Sequence, residues 1–586
     1  MRSPSFPSAF ALAVTLVSLA VVAPAAPAAD VPATAERSPL TEFYLRPTRI
    51  AWQSPAGITH ADRLLAPAPG QIVLGEQDAP CVLAPAAKGE PVGVLLDFGQ
   101  EIQGYVEIFG QQVAANAVTP VRVRFGESAA EAMSDIGGPK DATNDHAVRD
   151  MAVNVPSLGK TRLGPTGFRF VRVDAVDPAW PLQLAEVRAV LVIRDIPELG
   201  SFRSNDDRLN RIWQTGAYTV HLNMQDYLWD GIKRDRLVWI GDMHPEVSTI
   251  DAVFGFNEVV PRSLDLIRDH TPDGKWMNGI SSYSMWWVLI QEQWWMHHGN
   301  RAYLEQQAPT LHALLGRLAA LVGPDGHEQI PGFRFLDWPS SPNKAGVTAG
   351  LQSLLVMALD AGERLSGELG DAATAALCHE AATRARPVLL DPHASKSAAA
   401  LQVLSGQRDA RQGAREFLEP GGAHGLSTFY GYYVLQALGE AGETESALDM
   451  IRTYWGAMLD RGATTFWEDF NLDWLADSSR IDELPAAGQK DLHGDFGGYC
   501  YVGYRHSFCH GWASGPTAFL SAYVLGVRPV APGFARVQVR PQLGNLEWVE
   551  GTYPTPRGPI KVRHERRPDG SIHSDISAPP GVEVVR

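Results

Sequence analysis

Apolar residues along the chain change their spacing twice. From about residue 40 to 195 they come in short or alternating runs bounded by Gly, Pro and Asp, as in Val94–Gly99, Gly104–Phe109, Val121–Phe125 and Phe168–Asp174. That rhythm predicts strands, and their close succession predicts a β-sandwich. Arginine alternating with valine and phenylalanine predicts one wet face. The polar stretch from Ser128 to Asp150 reads as a long loop.

Near Phe202 the spacing becomes helical. Leu209–Tyr227, Trp286–His298, Leu304–Leu321, Leu351–Leu365, Ala372–Ala385, Tyr430–Leu438 and Ser446–Leu459 each carry one broad apolar face. A helical region of this length holds roughly a dozen helices. A toroid of six hairpins buries that many faces economically, although helix number alone does not fix the arrangement. After Leu525 alternation returns at Val537–Arg540, Leu546–Gly551 and Ile560–His564, which predicts a second, smaller sandwich. The reading is multidomain: signal 1–29, N-terminal β-sandwich 40–198, an all-α region 199–525 for which an (α/α)6 toroid is one candidate arrangement, and C-terminal β-sandwich 526–586.

Composition narrows the partners. The net charge is −16 with no basic run, so nucleic acid and anionic membrane surfaces are poor candidates. Arg2, the apolar run Phe10–Val22 and Ala25-Ala-Pro-Ala-Ala29 resemble an export signal too short to span a bilayer. A periplasmic or extracellular protein is expected. Cys81, Cys378, Cys500 and Cys509 show no zinc spacing. Cys500 and Cys509 lie close enough in sequence to meet across a hairpin, and free buried thiols fit as well.

Chemistry concentrates in loops of the helical region. Asp230–Asp242 packs three aspartates, two arginines and a lysine around Gly231, Trp239 and Gly241, followed by Met243-His-Pro-Glu246. Carboxylates, guanidinium groups and an indole together suit a polyhydroxylated ligand, whereas a structural ion-pair lattice is the plainer alternative. Further on come Asp337-Trp338-Pro339, then Trp467-Glu468-Asp469, then His493-Gly-Asp495, and last Arg505-His506 with His510-Gly-Trp512. Cleavage of a glycosidic bond needs two separated carboxyl groups, one acid and one base. Glu468 suits the base, although Thr464 and Thr465 could instead make it a capped helix start. Singly, each tryptophan and histidine here reads more naturally as packing. Asp491, His493 and Asp495 form a weak cation motif.

At these residues the chain resembles bacterial α-L-rhamnosidases of glycoside hydrolase family 78, within the six-hairpin glycosidases. Leu96–Gln100 and Gly167–Val173 resemble the family's N-terminal sandwich, Asp230–Asp242 its signature loop, Gly462–Glu468 its Ala-Thr-Thr-x-Trp-Glu motif, and Pro532-Gly533 onward its C-terminal sandwich. The resemblance implies exo-acting, inverting release of terminal α-L-rhamnose, or a closely similar sugar, without cofactor or metal-dependent step. It implies Glu468 as general base. Asp230, Arg234, Trp239 and Asp242 become sugar contacts, with Asp337, Trp338, Trp467 and His510. The family's Arg-x-Glu-Arg reads here as Arg234-Asp235-Arg236, one residue shorter and without the glutamate. Asp235 is therefore the first candidate for the acid and Glu246 the reserve. A polysaccharide lyase using Tyr504 or His510, and a sugar-binding protein that lost its acid, are the alternatives.

Overall fold

Strand β5 (Val92–Gly110) organises the first third of the chain. With β1 (Leu40–Leu45), β2 (Arg49–Gln53), β3 (Ile58–Thr59), β4 (Cys81–Leu83), β6 (Val118–Gly126), β7 (Asp150–Pro156), β8 (Gly159–Ala175) and β9 (Leu182–Arg194) it makes a nine-stranded sheet. The order is β3-β4-β9-β5-β8-β6-β7, with β1 added to β9 and β2 to β5. This computed structural model describes residues 36–73, 79–85, 91–111, 118–140, 142–143, 149–177 and 179–586. The expected export signal lies outside them. Leu40–Arg586 pack as one unit.

Hydrogen bonds connect all nine strands of this region into one branched sheet. β5 runs 19 residues and is irregular against β8 between Asp97 and Ile102 and between Gly104 and Val106. Such irregularities bend a strand and raise its twist. Gly104 sits at φ 150°, where an added Cβ would lie 1.9 Å from the Val190 carbonyl oxygen. One face buries Val94, Leu96, Ile102, Val121, Val123, Phe125, Phe168 and Val173.

The other face is not the wet one that its arginines suggest. Leu95 and Phe170 meet Ala129 and Ala132 of a short helix, α1 (Ala129–Met133), capped by Ser128. Residues 128–133 therefore belong to the core, not to a loop. Arg124, beside α1, and Arg169, which donates to the Gly462 carbonyl, are both buried, and each is paired: Arg124 with Asp174 at 2.6 Å, Arg169 with Asp97 at 2.8 Å. Buried charges persist only when paired and hydrogen-bonded.

The middle of the chain is helical. Its elements are α2 (Asp207–Asn223), α3 (Met243–Val253), α4 (Val259–His270), α5 (Ser281–His298), α6 (Arg301–Ala320), α7 (Lys344–Leu369), α8 (Ala372–Ala385), α9 (Lys396–Leu404), α10 (Ala410–Gly413), α11 (Gly431–Ala441), α12 (Thr444–Asp460) and α13 (Gly515–Phe519). Side chains of Asp206, Asn300, Asn343, Asp371 and Ser395 accept first-turn N–H groups, and Gly299, Gly370 and Gly442 end helices in the left-handed conformation. Helices α3, α4 and α9 escape the sequence reading. All of α3 except His244 is buried, so it presents no polar face to reveal a helical period.

β10 (Ser201–Ser204) precedes the helices yet pairs antiparallel with β13 (Trp548–Tyr553). It thereby joins a four-stranded sheet with β14 (Ile560–Arg566) and β15 (Ile572–Ser577). A three-stranded sheet of β11 (Val527–Pro529), β12 (Arg536–Val539) and β16 (Glu583–Val585) lies beside it in sequence. Phe202, Val537, Val549 and Ile560 from these sheets share one apolar core with the helices.

Leu355, at the centre of α7, is fully buried. Leu355→Ala is expected to destabilise the fold by about 2–5 kcal/mol through lost transfer energy and a cavity. The exposed Leu377→Ala should shift it by less than about 0.5 kcal/mol. Denaturant titration of both variants checks the contrast.

Candidate functional site

The segment between α2 and α3 has no regular ladder, so its side chains must supply its hydrogen bonds. Asp230 does most of this. Its two carboxylate oxygens accept the N–H groups of Asp235 (3.1 Å) and Leu237 (3.0 Å), curling the loop around one buried side chain. Gly231 makes an isolated bridge with His510. A Cβ there would stand 2.6 Å from the Arg234 carbonyl oxygen, so only glycine lets the two loops meet.

The second half of the site comes from residues 462–470. Thr464 and Thr465 cap no helix here. The Thr464 hydroxyl accepts the Glu101 N–H at 2.9 Å, and the Thr465 hydroxyl donates to the Phe508 carbonyl at 2.7 Å. The backbone of Glu468 is fixed on both sides: its N–H donates to the Ser507 carbonyl, and its carbonyl accepts from Thr428 Oγ1 and Trp512 Nε1.

These loops enclose a cavity of 160 Å³. Asp230, Arg234, Asp235, Trp239, Asp242, Trp338, Glu468 and His510 line it, as do Tyr283, Phe335, Cys500 and Trp512. Arg234 spans the interior. Its Nη2 donates to both oxygens of Glu468 (2.9 and 2.8 Å), its Nη1 lies 3.3 Å from Asp235 Oδ1, and its Nε donates to the Arg505 carbonyl at 2.7 Å. Burial works against the guanidinium charge, and Glu468, Cys500, Asp235 and Asp230 together more than offset it, leaving the group firmly protonated. The Ser507 N–H donates to Glu468 Oε2 at 3.1 Å. Trp239 Nε1 is 3.3 Å from Asp235 Oδ2. Arg236 turns away and donates to the Pro165 carbonyl.

Opposite them, Tyr283 donates to Asp242 Oδ1 at 2.6 Å, and His510 Nε2 is 3.3 Å from Asp242 Oδ2. Burial opposes charge on His510, but Glu468, Asp242 and Asp230 together hold its pKa above the ordinary value. Its Nδ1 stands 3.9 Å from Glu468 Oε1. Burial also pushes Asp230 up to about 7, with the negative Asp242 and Asp235 adding to it and His510 opposing.

Three residues expected at the site do not line the cavity. The Asp337 carboxylate accepts from Ser427 Oγ and the Ser340 N–H, shaping the turn that presents Trp338. Trp467 points into the core, stacked on Phe508 at 4.4 Å. Glu246 lies on α3 with its carboxyl buried against Gly511, where burial pushes its pKa well above the carboxylate range. The cation motif is also absorbed: Asp491 binds Lys140 and Tyr504, and His493 bonds Ser128 Oγ and the His506 carbonyl. Asp230, Asp242 and His510 bring ligand atoms within 4.8 Å of one another. Their oxygens, however, already accept N–H and O–H donors, so the geometry is that of a hydrogen-bonded group. All four cysteines are free, with Cys500 at the cavity wall and Cys509 buried.

Tyr283 and Ser507 were missed by sequence reasoning. Tyr283 sits in an uncharged helix start, and Ser507 contributes only a main-chain N–H, which no sequence motif marks.

Burial, helped by Asp337 and Glu468, pushes the Asp469 carboxyl up to about 7 against the Phe470 N–H it accepts. The folded state thus favours the protonated form, and that stabilisation is lost as pH rises from about 4 towards 7. Asp469→Asn should match the wild type near pH 4 and exceed its stability by on the order of 2–4 kcal/mol above pH 7. Denaturant unfolding across that range tests the sign; a constant difference would contradict it.

Comparison with known proteins follows the same layout. Residues 197–398 match the bacterial alpha-L-rhamnosidase 6 hairpin glycosidase domain, and residues 526–585 the bacterial alpha-L-rhamnosidase C-terminal domain. An alpha-L-rhamnosidase of Streptomyces avermitilis is 25% identical over 564 residues, covering 87% of this chain and 50% of the relative. One from an Alteromonas species is 25% identical over 531 residues, covering 81% and 54%. The chain therefore spans about half the length of these curated relatives. Among solved structures, a GH78 family rhamnosidase of Bacillus sp. GL1 superposes with a TM-score of 0.70 at 24% identity, covering 89% of this chain and 55% of the other. A rhamnosidase from Klebsiella oxytoca gives 0.65 at 20% identity, covering 83% and 96%. In fold, a six-hairpin helical domain accompanied by β domains, and in the order of its matched domains, this chain resembles the bacterial α-L-rhamnosidases of glycoside hydrolase family 78.

Proposed function

We propose that this chain is an exo-acting, inverting glycoside hydrolase that releases terminal α-L-rhamnose, or a closely similar sugar, from a glycoside. One observation carries the reading: a single buried guanidinium, Arg234, holds Glu468 on one side and faces Asp235 on the other within a 160 Å³ cavity. In this reading the cavity seats the terminal sugar ring. The helical hairpins close as an (α/α)6 toroid between two β-sandwiches, with the cavity at one end of its axis. The substrate is a carbohydrate, and the N-terminal signal exports the chain to the periplasm or beyond.

Each group then has a task. Glu468, ionised beside Arg234 and the Ser507 N–H, takes a proton from the attacking water. Asp235 gives a proton to the leaving oxygen, its carboxyl oriented by Trp239 Nε1. Arg236 is engaged by the Pro165 carbonyl, while Arg234 donates to Glu468 and the Arg505 carbonyl and also pairs with Asp235 Oδ1 at 3.3 Å. An inverting enzyme needs about 6.5–9.5 Å between the two carboxyl groups for that water. Asp230 shapes the loop, and Asp242 with His510 offers hydrogen bonds to sugar hydroxyls. Trp239, Trp338 and Trp512 supply apolar walls for the C–H faces of the ring.

Aryl and alkyl glycosides of L-rhamnose and related sugars, with the product anomer followed by NMR, test this directly. The expected product is a saturated sugar of inverted anomeric configuration. Glu468→Gln and Asp235→Asn should each lower kcat by about 10²–10⁴-fold, with the fold retained. Retention of configuration, an unsaturated product absorbing in the ultraviolet, or sugar binding without turnover would each overturn the reading, the last two in favour of a lyase or a binding protein.

A further inference from the structure

Lys233 stands immediately before the two residues that face each other across the cavity, yet it points the other way. It is only 5% exposed. Its ammonium donates to Glu131 Oε1 at 3.1 Å and to the carbonyls of Tyr504 at 2.8 Å and His506 at 2.6 Å, with Glu127 Oε2 at 3.2 Å. An ammonium has three protons to give, and all three are used. Glu131 lies on α1 and Glu127 just before it, so both belong to the β-rich first third of the chain. Both carboxyls are buried.

The same two glutamates hold the opposite wall. Glu127 accepts the Phe508 N–H at 2.6 Å and faces Ser507 Oγ at 3.3 Å. Glu131 accepts the Glu127 N–H at 2.7 Å, tying the pair together. Ser507 in turn gives its N–H to Glu468, and the Arg505 carbonyl takes the Arg234 Nε proton. Two short paths therefore start from this cluster. One is covalent, from Lys233 through Arg234 to Asp235; the other runs by hydrogen bonds from Glu127 through Ser507 and Phe508 to Glu468. Gly167 of β8 lets the loop backbone lie close against the sheet, since a Cβ there would stand 2.7 Å from the main-chain nitrogen of Lys233.

We propose that Lys233, clamped by Glu127 and Glu131, is a positioning residue that sets the spacing of Asp235 and Glu468, so that the N-terminal β region takes part in catalysis. This rests on the hydrolase reading above. Burial of a charge is costly unless it is paired, so a cluster this deep holds its shape only when complete. Loss of the clamp lets the loop carrying Asp235 shift, and a displacement of about 1 Å can cost 10²-fold in rate.

The test uses the full chain with Lys233→Met and Glu131→Gln, assayed on a 4-nitrophenyl and on an alkyl rhamnoside. Protonation of the leaving group matters far more for the alkyl glycoside. The expected result is a fall in kcat/KM at least about tenfold larger on the alkyl substrate than on the aryl one. Free-rhamnose binding by calorimetry should change by less than about threefold. Glu127→Gln likewise removes one charge of the clamp while keeping an acceptor for the Phe508 N–H, and should shift the substrate ratio in the same direction. If Lys233→Met does not fold, Glu131→Gln, which removes a charge and keeps an oxygen, reads the same ratio. Equal losses on both substrates, or none, overturn the clamp alone. A wild type that turns over neither substrate overturns the hydrolase reading and the clamp with it.

Discussion

The desolvated pair of Arg234 and Glu468 is the interaction around which the candidate site is built. It joins two loops more than two hundred residues apart, and both side chains are almost wholly buried. Removing one partner of such a pair typically costs about 3–5 kcal/mol, because the other charge is left uncompensated. The arrangement therefore persists only with its supports: the Arg505 carbonyl behind Arg234 and the Ser507 N–H on Glu468. The guanidinium's three nitrogens point to three different partners, Nη2 to Glu468, Nη1 to Asp235 and Nε to the Arg505 carbonyl, which fixes direction as well as distance.

Around that pair the protein arranges acids by environment. Asp230 and Asp242 are pushed up mainly by burial, while His510 opposes the shift in both. Glu246, with no such partner on its carboxyl oxygens, is pushed well above the carboxylate range by burial and sits behind the wall instead of in it. Hydrogen-bonded acids thus face the cavity, and the acid without a partner is sealed away. This sorting follows from solvation: a carboxylate is tolerated in the interior where donors replace water.

Parts of this were legible in the sequence. The clustering of Asp230, Arg234, Asp235, Trp239 and Asp242 marked the loop, and Trp467-Glu468 marked its counterpart, because charged residues beside glycine and tryptophan are unusual in a solvated face. The same rule misled at Trp467 and Asp337. A side chain's direction depends on the backbone that carries it, and those two turn towards Phe508 and Ser427. Lys233 was counted with its neighbours as one charge among several. Nothing local distinguishes a lysine that faces a sugar from one that faces two buried glutamates a hundred residues upstream.

The sequence by itself determined the succession of β, helical and β segments, since strand and helix periodicities are local and survive averaging over a few turns. It also determined which residue types were available to the site. Tertiary structure decided the rest. It bent β5 and joined all nine strands of the first β region in one branched sheet, and it brought α1 over Leu95, Phe170 and Arg124. It sent β10 across to pair with β13, and it chose which acids meet Arg234 and which meet Lys233. Those choices depend on contacts between residues hundreds of positions apart, where burial, charge pairing and hydrogen bonding are set by the neighbour and not by the chain's own pattern.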